Sequence, residues 1–553
     1  MNDLYNNKKV LWSLLAAFVI VWLYALGIRT LVPPDEGRYA EMAREMFASG
    51  DWVTTRLNGI KYFEKPPLQT WMNALSFAAF GLGEWQARLW TGLCGLLGVL
   101  LSGYAGSRVF GPRVGFYAAL ALGSSLFWVA SGQIDSLDMG LSGMMTIVLC
   151  AVLVAQRDEA TPAEQRNWML LCWAGMALAV LAKGLIGLVL PGGVLVLYSL
   201  LSGDFAIWKR LHLGKGLLLF FAIATPWFVL VGLRNPEQPH FFFVHEHWER
   251  FFLKTHHREG AWYYFFVLLA PGIMPWLGIL PQSLLAAARR RTESRFQPRL
   301  LLLIWSVFIF AFFSYSSSKL PGYILPIFPA LAMLLGAYLE TAPRRSRIIA
   351  AALLVVIGIA GIIAVPQMVK IGVRHASETA LLVAYQPWVL AAAITAAAGG
   401  AVALLHARHL RRDLTVLTMA IAGFAATELI LTGFEPYGAM RAGKTAALKM
   451  RPEMTPDMPI YSVATYEQSM TFYLRRPVTL VDYWDEFTFG LKQQPELSIP
   501  TVAQFVQRWQ QHHQDGVKAL AIISPEKYAE LKQQGLPMRL IVQDTRRVVV
   551  ANL

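Results

Sequence analysis

Thirteen long apolar runs constrain this chain more than any other feature of its sequence. Each holds roughly 20 residues, the length that an α-helix needs to cross the hydrocarbon core of a bilayer. Hydrophobic residues make up 56% of the 553 residues and charged residues only 15%, against about 25% charged residues in soluble domains. The sequence therefore predicts an α-helical polytopic membrane protein. The runs lie at 10–28, 88–107, 114–131, 138–155, 167–182, 184–201, 216–232, 263–283, 300–316, 321–338, 347–365, 384–405 and 414–432.

Basic residues between these runs predict the topology. They fall in alternate loops if the N-terminus is cytoplasmic and a shorter apolar run at 71–82 does not cross, which is the positive-inside pattern. We therefore expect 71–82 to lie at the outer interface or to re-enter, and the C-terminus to lie outside. No small-residue cleavage site follows the first run, so we interpret it as an uncleaved helix and not as a signal peptide. The alternating loops contain Arg108, Arg113, Arg157, Arg166, Lys209, Arg210, Lys215, Arg289, Arg290, Arg291, Arg295, Arg299, Arg344, Arg345, Arg347, Arg408, Arg411 and Arg412.

These loops also account for the net charge of +14, which in a soluble protein would suggest binding to nucleic acid. We expect no nucleic-acid partner. The three cysteines, Cys94, Cys150 and Cys172, all lie in or beside apolar runs, which argues against a disulfide framework or a zinc finger.

Three long segments are predicted to face outward. They are the loops at 29–87 and 233–262 and a more polar tail at 433–553. We predict a transmembrane domain over 1–432 and a small α/β domain over 433–553. The tail alternates short β-rich runs with helical patterns. Strands are expected at 458–463, 477–482, 518–523, 538–543 and 546–551, and helices at 466–474, 501–514 and 525–534.

Ionisable residues cluster at the outer ends of the predicted spans, whereas the centres of the spans are nearly free of charge. Transporters tend to place polar groups near the midplane, so this distribution favours a site at the outer membrane–water boundary. The clustered residues are Asp35, Glu36, Arg38, Glu64, Lys65, Asp135, Asp138, Lys183, His245, His247, Glu249, Arg250, Lys254, His256, His257, Arg258 and Lys319.

The first outer loop opens with two prolines followed by Asp35, Glu36 and Arg38. Proline ends the first span, and the two carboxylates are suited to capping the helix that follows. They are equally suited to positioning a substrate or acting as a general base just outside the bilayer. Asp138 has the same two interpretations at the start of its own span.

Tyr62, Glu64 and Lys65 precede a second pair of prolines in the same loop. The aromatic residues suit an anchor at headgroup level, and Lys65 in a stiff segment suits a phosphate. On the last outer turn, Lys319 and Tyr323 are expected to point at the same aqueous pocket, unless they only snorkel to the interface.

The segment 240–258 carries several histidines and cations, among them His245, Arg250 and Arg258. Arg250 and Lys254 would share one face of a helix and bind a phosphate. A divalent metal such as zinc is compatible with Glu64 and His245, although no zincin motif is present. We expect that the activity of this protein requires no cofactor.

Several motifs resemble those of the GT-C glycosyltransferases, and in particular the family of bacterial aminoarabinose transferases. They are Asp-Glu-Gly-Arg-Tyr-Ala at 35–40, Tyr-Phe-Glu-Lys-Pro-Pro at 62–67, His-Arg at 257–258, Trp-Tyr-Tyr at 262–264 and Lys-Leu-Pro-Gly-Tyr-Ile-Leu-Pro at 319–326. The length, the 13 spans and the outer tail are similar as well. Protein O-mannosyltransferases share the acidic first-loop motif.

The resemblance implies an inverting transferase that moves 4-amino-4-deoxy-L-arabinose from undecaprenyl phosphate to a phosphate of lipid A, which gives resistance to polymyxin. It also implies the bacterial inner membrane, with a periplasmic site and tail. In this interpretation Asp35 orients a substrate or acts as base, and Asp138 supports it or binds the amino group of the sugar. Lys65 and Arg250 bind the leaving phosphate, and the hydroxyls of Tyr62 and Tyr323 bind donor phosphate or sugar.

Two alternatives remain open from the sequence. A protein O-mannosyltransferase would transfer sugar to a serine or threonine, with Asp35 as a true general base. A lipid flippase or exporter would require coupling charges at the midplane or nucleotide-binding motifs, and the sequence contains neither.

Overall fold

The structure is a computed structural model that describes residues 4–242, 260–289, 295–372 and 378–553. Within those ranges, nine helices are long and apolar enough to cross a membrane, or ten if one bent pair is counted as a single span. This confirms a polytopic helical membrane protein, while the number of 13 crossings stays a prediction.

Helices occupy every predicted span. They are α1 (Lys8–Ala25), α4 (Glu84–Phe110), α5 (Pro112–Ser124), α6 (Leu126–Gly132), α7 (Leu137–Ala155), α8 (Pro162–Lys183), α9 (Ile186–Ser202), α10 (Leu213–Arg234), α11 (Tyr264–Gly272), α12 (Leu280–Arg289), α13 (Pro298–Tyr315), α14 (Phe328–Thr341), α15 (Arg344–Ala364), α16 (Thr379–Arg408) and α17 (Arg412–Gly433). Short helices at Gln238–His240 and Met368–Gly372 and 3₁₀ helices at Phe205–Leu211 and Pro321–Ile327 join them.

Two predicted spans are broken, and the breaks bond to each other. α5 and α6 meet at 65°, and α11 and α12 are separated at the level of Met274 and Pro275. The backbone N–H of Leu126 donates to the carbonyl of Met274 at 3.1 Å. Proline lacks an N–H and interrupts a helix, so a hydrogen bond between the two breaks offsets part of the cost of unpaired backbone groups.

The first outer loop contains helices α2 (Asp35–Ser49) and α3 (Leu68–Phe80) and a hairpin of β1 (Arg56–Leu57) and β2 (Ile60–Lys61). α3 covers the predicted run at 71–82. Its 13 residues span only about 20 Å at 1.5 Å per residue, too short to cross, as the positions of the basic loops predict.

The tail forms an α/β region around a six-stranded sheet, which confirms the predicted fold class. The strand order is β5-β4-β3-β6-β8-β7; β3 pairs in parallel with β4 and β6, and β8 pairs antiparallel with β6 and β7. The elements are α18 (Glu435–Ala442), α19 (Lys444–Met450), β3 (Ile460–Val463), α20 (Gln468–Leu474), β4 (Thr479–Val481), α21 (Thr488–Gln493), β5 (Ser498–Ile499), α22 (Val502–Gln514), β6 (Leu520–Ile523), α23 (Pro525–Gln533), β7 (Arg539–Gln543) and β8 (Val548–Ala551). The sequence analysis missed the short elements α18, α19, α21 and β5.

The tail packs directly on the first outer loop. Apolar side chains of α2 share one core with those of α20, including Met42, Met46 and Met470. The side chain of Asn58 on the hairpin donates to the carbonyl of Val478 at 2.8 Å and accepts from its N–H at 2.7 Å. A Cβ on Gly37 would lie 2.6 Å from the Cα of Ser469, so only glycine permits this approach. Residues of the tail can therefore reach the outer end of the helical bundle.

Candidate active site

A cavity of about 320 Å³ opens where α2, α7, α8 and α13 meet the first outer loop. Six charged side chains line it, three acidic and three basic, and they stand above an apolar wall that includes Leu141, Ile186, Phe312 and Phe313. A polar mouth over an apolar wall suits a ligand with a charged head and a lipid chain. The charged lining residues are Asp35, Arg38, Glu64, Lys65, Asp138 and Lys183, and the hydroxyl-bearing ones are Tyr39, Ser136, Ser316, Ser318 and Tyr323.

Asp138 and Lys183 form an ion pair on one side of the cavity. Asp138 lies in the first turn of α7 and Lys183 in the last turn of α8, so each charge is favoured by the dipole of its own helix. The Lys183 ammonium also lies 4.7 Å from the centre of the Tyr323 ring, a cation–π distance. These contacts fix the Asp138 carboxylate at the cavity surface.

Gly322 allows the last outer turn to approach this pair. A Cβ at residue 322 would lie 2.2 Å from the Asp138 Cγ and 2.4 Å from its Oδ2. Real side chains cannot make such contacts, so glycine is required for the present position of the turn that carries Tyr323.

Asp35 and Arg38 form the other side of the cavity. The Arg38 Nη1 donates to the Asp35 Oδ1 at 2.8 Å, and the Asp35 side chain is 56% exposed, so it is accessible to a substrate. Asp35 is the first residue of α2, where its charge also stabilises the helix N-terminus. The capping and functional interpretations are therefore compatible.

Arg38 is also bound by Glu486, a residue of the tail. Its Nε donates to the Glu486 Oε2 at 2.7 Å, and the Glu486 Oε1 accepts from the Gln468 Nε2 at 2.7 Å. The Tyr62 hydroxyl donates to the same carboxylate at 3.3 Å. Burial works to lower the pKa of Arg38, but Tyr62 and Glu486 outweigh it and hold that pKa above its ordinary value.

Lys65 and Glu64 complete the charged lining. The Lys65 ammonium donates to the carbonyl of Glu64 at 2.8 Å, which turns the side chain along the rigid segment before Pro66. Lys65 therefore adds a positive charge to the cavity lining.

Three predicted residues do not line the cavity. Glu36 is buried and accepts hydrogen bonds from the Arg88 Nε at 2.6 Å and from the backbone N–H of Asp135 at 2.9 Å. These bonds tie α2 to α4 and to the connection between α6 and α7. Tyr62 is buried against Glu486. Lys319 donates to the carbonyls of Ser314 and Ser316 at 2.7 and 3.1 Å and so closes the last outer turn. In this structure the three side chains hold neighbouring elements of the site in place and do not line its cavity.

His245, Arg250 and Arg258 lie outside the described residues. Across the ranges that are described, no group of three or more histidine, cysteine, aspartate or glutamate side chains could hold a metal ion. The metal site predicted at Glu64 and His245 depends on one of the undescribed residues and stays a prediction.

Sequence reasoning assigned no role to Lys183 or Glu486. Lys183 was recognisable only as one of many outer-end charges. Glu486 lies 448 residues from Arg38 in a polar tail, and no local pattern marks its contact. The cavity also gains the hydroxyl of Tyr39, which lies beside Arg38 in the first-loop motif.

Two family profiles match the chain. The profile described as aminoarabinose transferase C-terminal domain matches residues 446–552, and that described as dolichyl-phosphate-mannose-protein mannosyltransferase matches residues 9–242. A curated relative from Edwardsiella ictaluri, named undecaprenyl phosphate-alpha-4-amino-4-deoxy-L-arabinose arabinosyl transferase, is 28% identical over 544 residues, 94% of each chain.

Solved structures extend the comparison. The structure of ArnT from Cupriavidus metallidurans bound to undecaprenyl phosphate aligns with a TM-score of 0.92, 41% identity and 99% coverage of both chains. The oligosaccharyltransferase of Archaeoglobus fulgidus aligns with a TM-score of 0.50 at 12% identity, covering 85% of this chain and 64% of that one, which shows a shared fold alone. On the full-length match, this chain belongs to the ArnT family of aminoarabinose transferases, polytopic membrane glycosyltransferases of the GT-C fold.

Proposed function

We propose that this protein transfers 4-amino-4-deoxy-L-arabinose from undecaprenyl phosphate to a phosphate group of lipid A. The observation that carries the proposal is the cavity at the outer end of the bundle, where three cations and three carboxylates stand above an apolar wall. The names of the relatives and the undecaprenyl phosphate bound to the Cupriavidus enzyme support the donor. Modified lipid A carries less negative charge and binds polymyxin and other cationic peptides less well.

The reaction needs two phosphates close together. An oxygen of the lipid A phosphate attacks the anomeric carbon of the sugar, and the bond from that carbon to the undecaprenyl phosphate oxygen breaks, with the electron pair leaving on the phosphate. The acceptor is already ionised at neutral pH and needs little help from a base. The enzyme therefore acts mainly by holding the reactants in line and stabilising the leaving phosphate.

The basic and the acidic residues of the site have different roles in this reaction. Lys65, together with Arg250 outside the described residues, binds the leaving phosphate, and the Tyr323 hydroxyl adds a hydrogen bond. The carboxylates of Asp35 and Asp138 receive the amino group of the sugar, which is protonated at neutral pH. Arg38 holds Asp35 in place at 2.8 Å.

The apolar residues of the same region suit the lipid part of the donor. A second cavity of about 210 Å³ lies between α7, α8, α9 and α13 and the inner segment that carries Trp208 and Leu211, and its walls are almost wholly apolar. Isoprene units stabilise a complex by leaving water for such surfaces.

We place the protein in the bacterial inner membrane with the N-terminus cytoplasmic and the cavity and tail periplasmic. The arginines at the ends of the helices opposite the cavity support this orientation. It also places the cavity in the leaflet where lipid A awaits export.

The test is transfer by the purified full chain in detergent, with the aminoarabinose donor and either lipid A or a serine- and threonine-containing peptide as acceptor. We expect lipid A to be modified, the peptide to remain unmodified, and an Asp35→Asn variant to lose ~100- to 1000-fold in rate, as for other groups used in the transition state. Modification of the peptide alone would refute this proposal and favour a protein O-mannosyltransferase, which the profile match over residues 9–242 makes the second candidate.

A further inference from the structure

A buried arginine lies at the end of the bundle opposite the active site. Arg347, in the first turn of α15, is 4% exposed. Its Nε and Nη1 have no hydrogen-bond partner among the residues that the structure describes. A guanidinium carries five donors and a permanent charge, and burying such a charge without a partner is costly. The position therefore favours an anion that none of the described residues supplies.

The charges around Arg347 are mostly of the same sign. Arg344 and Arg412 are the cations that act on it most directly, with the Tyr117 hydroxyl beside them. Arg412 already donates to the carbonyl of Glu340. Arg344 is exposed, Arg412 is half-buried and Arg347 is buried, and three like charges in one region repel one another unless an anion lies between them. We call Arg344, Arg347 and Arg412 the arginine cluster.

A buried carboxylate at the same end of the bundle, Asp413, already has partners. Asp413 accepts the backbone N–H of Leu4 at 3.0 Å and the Tyr117 hydroxyl, and its Oδ1 lies 3.5 Å from the Arg113 Nε. Its two oxygens thus serve three partners on other elements. Asp413 cannot also neutralise the arginine cluster in the present arrangement.

The local backbone adds to the preference for an anion. Three helices begin at this end: α5 at Pro112, α15 at Arg344 and α17 at Arg412. No side chain caps the start of any of them, so their first N–H groups carry the positive ends of the helix dipoles. A phosphate is the anion that such N-termini and arginine forks bind best.

We infer that the arginine cluster is a binding site for the phosphate of an acidic phospholipid, in the leaflet opposite the active site. A lipid is favoured over a soluble anion because α15 continues directly into lipid-facing surface, where Ile349 is 54% exposed. A phosphate held by Arg347 would place its acyl chains along that surface. Basic pockets between helices at the cytoplasmic boundary bind acidic lipids in the same way. The inference is independent of the proposed reaction and uses the proposed orientation only to name the leaflet.

The test is lipid binding by the delipidated full chain, followed by native mass spectrometry during titration with phosphatidylglycerol or phosphatidylcholine. We expect preferential retention of phosphatidylglycerol by the wild type and a loss of about tenfold or more in its affinity on Arg347→Gln, the size expected for a charge-assisted hydrogen bond. The matched control is Arg345→Gln, which removes the same charge from the exposed neighbouring residue and should change the affinity by less than about threefold.

Three results would overturn the inference: equal affinities of wild type and Arg347→Gln, equal retention of the two lipids by the wild type, or displacement of phosphatidylglycerol by millimolar inorganic phosphate. The last would assign the cluster to a soluble anion. If Arg347→Gln fails to fold, Arg412→Gln and Arg347→Lys provide the test, since the lysine keeps the charge and loses the two-pronged geometry. Transfer activity in detergent should stay at the wild-type level, because the arginine cluster does not contact the active-site cavity.

Discussion

Glu486 is the residue through which the tail acts on the active site, and its substitution tests that connection. Its carboxylate accepts from the Arg38 Nε at 2.7 Å, the Gln468 Nε2 at 2.7 Å and the Tyr62 hydroxyl at 3.3 Å. A Glu486→Gln variant keeps the size of the side chain and removes its charge. It also places an amide N–H₂ where one of these donors now points.

The expected loss follows from these contacts. Hydrogen bonds to charged groups contribute about 1.5–3 kcal/mol each, and the shortest one here holds Arg38, which in turn holds Asp35. If about 2 kcal/mol of this positioning is lost in the transition state, kcat/KM falls roughly 30-fold. We expect most of the loss in kcat, since Glu486 touches no substrate.

The assay is the rate of transfer to lipid A by purified protein, with insertion and folding checked by thermal unfolding. Glu526→Gln, on the exposed surface of α23, is the matched control and should keep the wild-type rate. In the double variant with Arg38→Lys, the two losses should not add, because both act on one interaction. A Glu486→Gln rate within twofold of wild type, with the structure intact, would refute the role assigned to the tail.

Three further predictions concern neighbouring residues. Gly322→Ala should lower the transfer rate at least tenfold, because the new Cβ would lie 2.2 Å from the Asp138 Cγ; an unchanged rate would show that the turn moves freely. Lys183→Met should weaken the site by freeing the Asp138 carboxylate, and its rate should be below that of Lys183→Arg; equal rates would exclude a role for the ion pair. Burial, with a smaller contribution from Glu41, raises the pKa of Glu45 to about 8, so the native state keeps a proton that the unfolded chain loses near pH 4.5, and stability should fall as the pH rises between these values. Thermal unfolding of Glu45→Gln should show a smaller fall over that range, and identical pH profiles would contradict the assignment.

The parts of the fold that depend on local pattern were predictable. Span positions follow from run length, and the strands of the tail follow from short β-rich runs between turn signals. The breaks between α5 and α6 and between α11 and α12 were not, because Ser125 and Pro275 lie within runs whose average composition is apolar. The hydrogen bond between the two breaks offsets part of their backbone cost, and this contact joins distant parts of the chain.

The part of the site that depends on local sequence pattern was also predictable. Asp35, Lys65 and Tyr323 belong to recognisable motifs and Asp138 stands at the start of a predicted span, and the structure brings all four to one cavity. Glu36 belongs to the same motif as Asp35, but adjacent positions on a helix point in different directions, and it faces Arg88 in the interior. The contact of Glu486 with Arg38 joins distant parts of the chain, and no local pattern encodes it.

Mass spectrometry of lipid A from cells that lack their own transferase tests the central claim most directly. Cells that carry the wild-type protein should contain lipid A with aminoarabinose on phosphate, and cells that carry Asp35→Asn at the same level in the membrane should not. Unmodified lipid A in cells with well-inserted wild-type protein and an available donor would contradict the proposed reaction. Equal modification by both proteins would keep the reaction and contradict the role of Asp35.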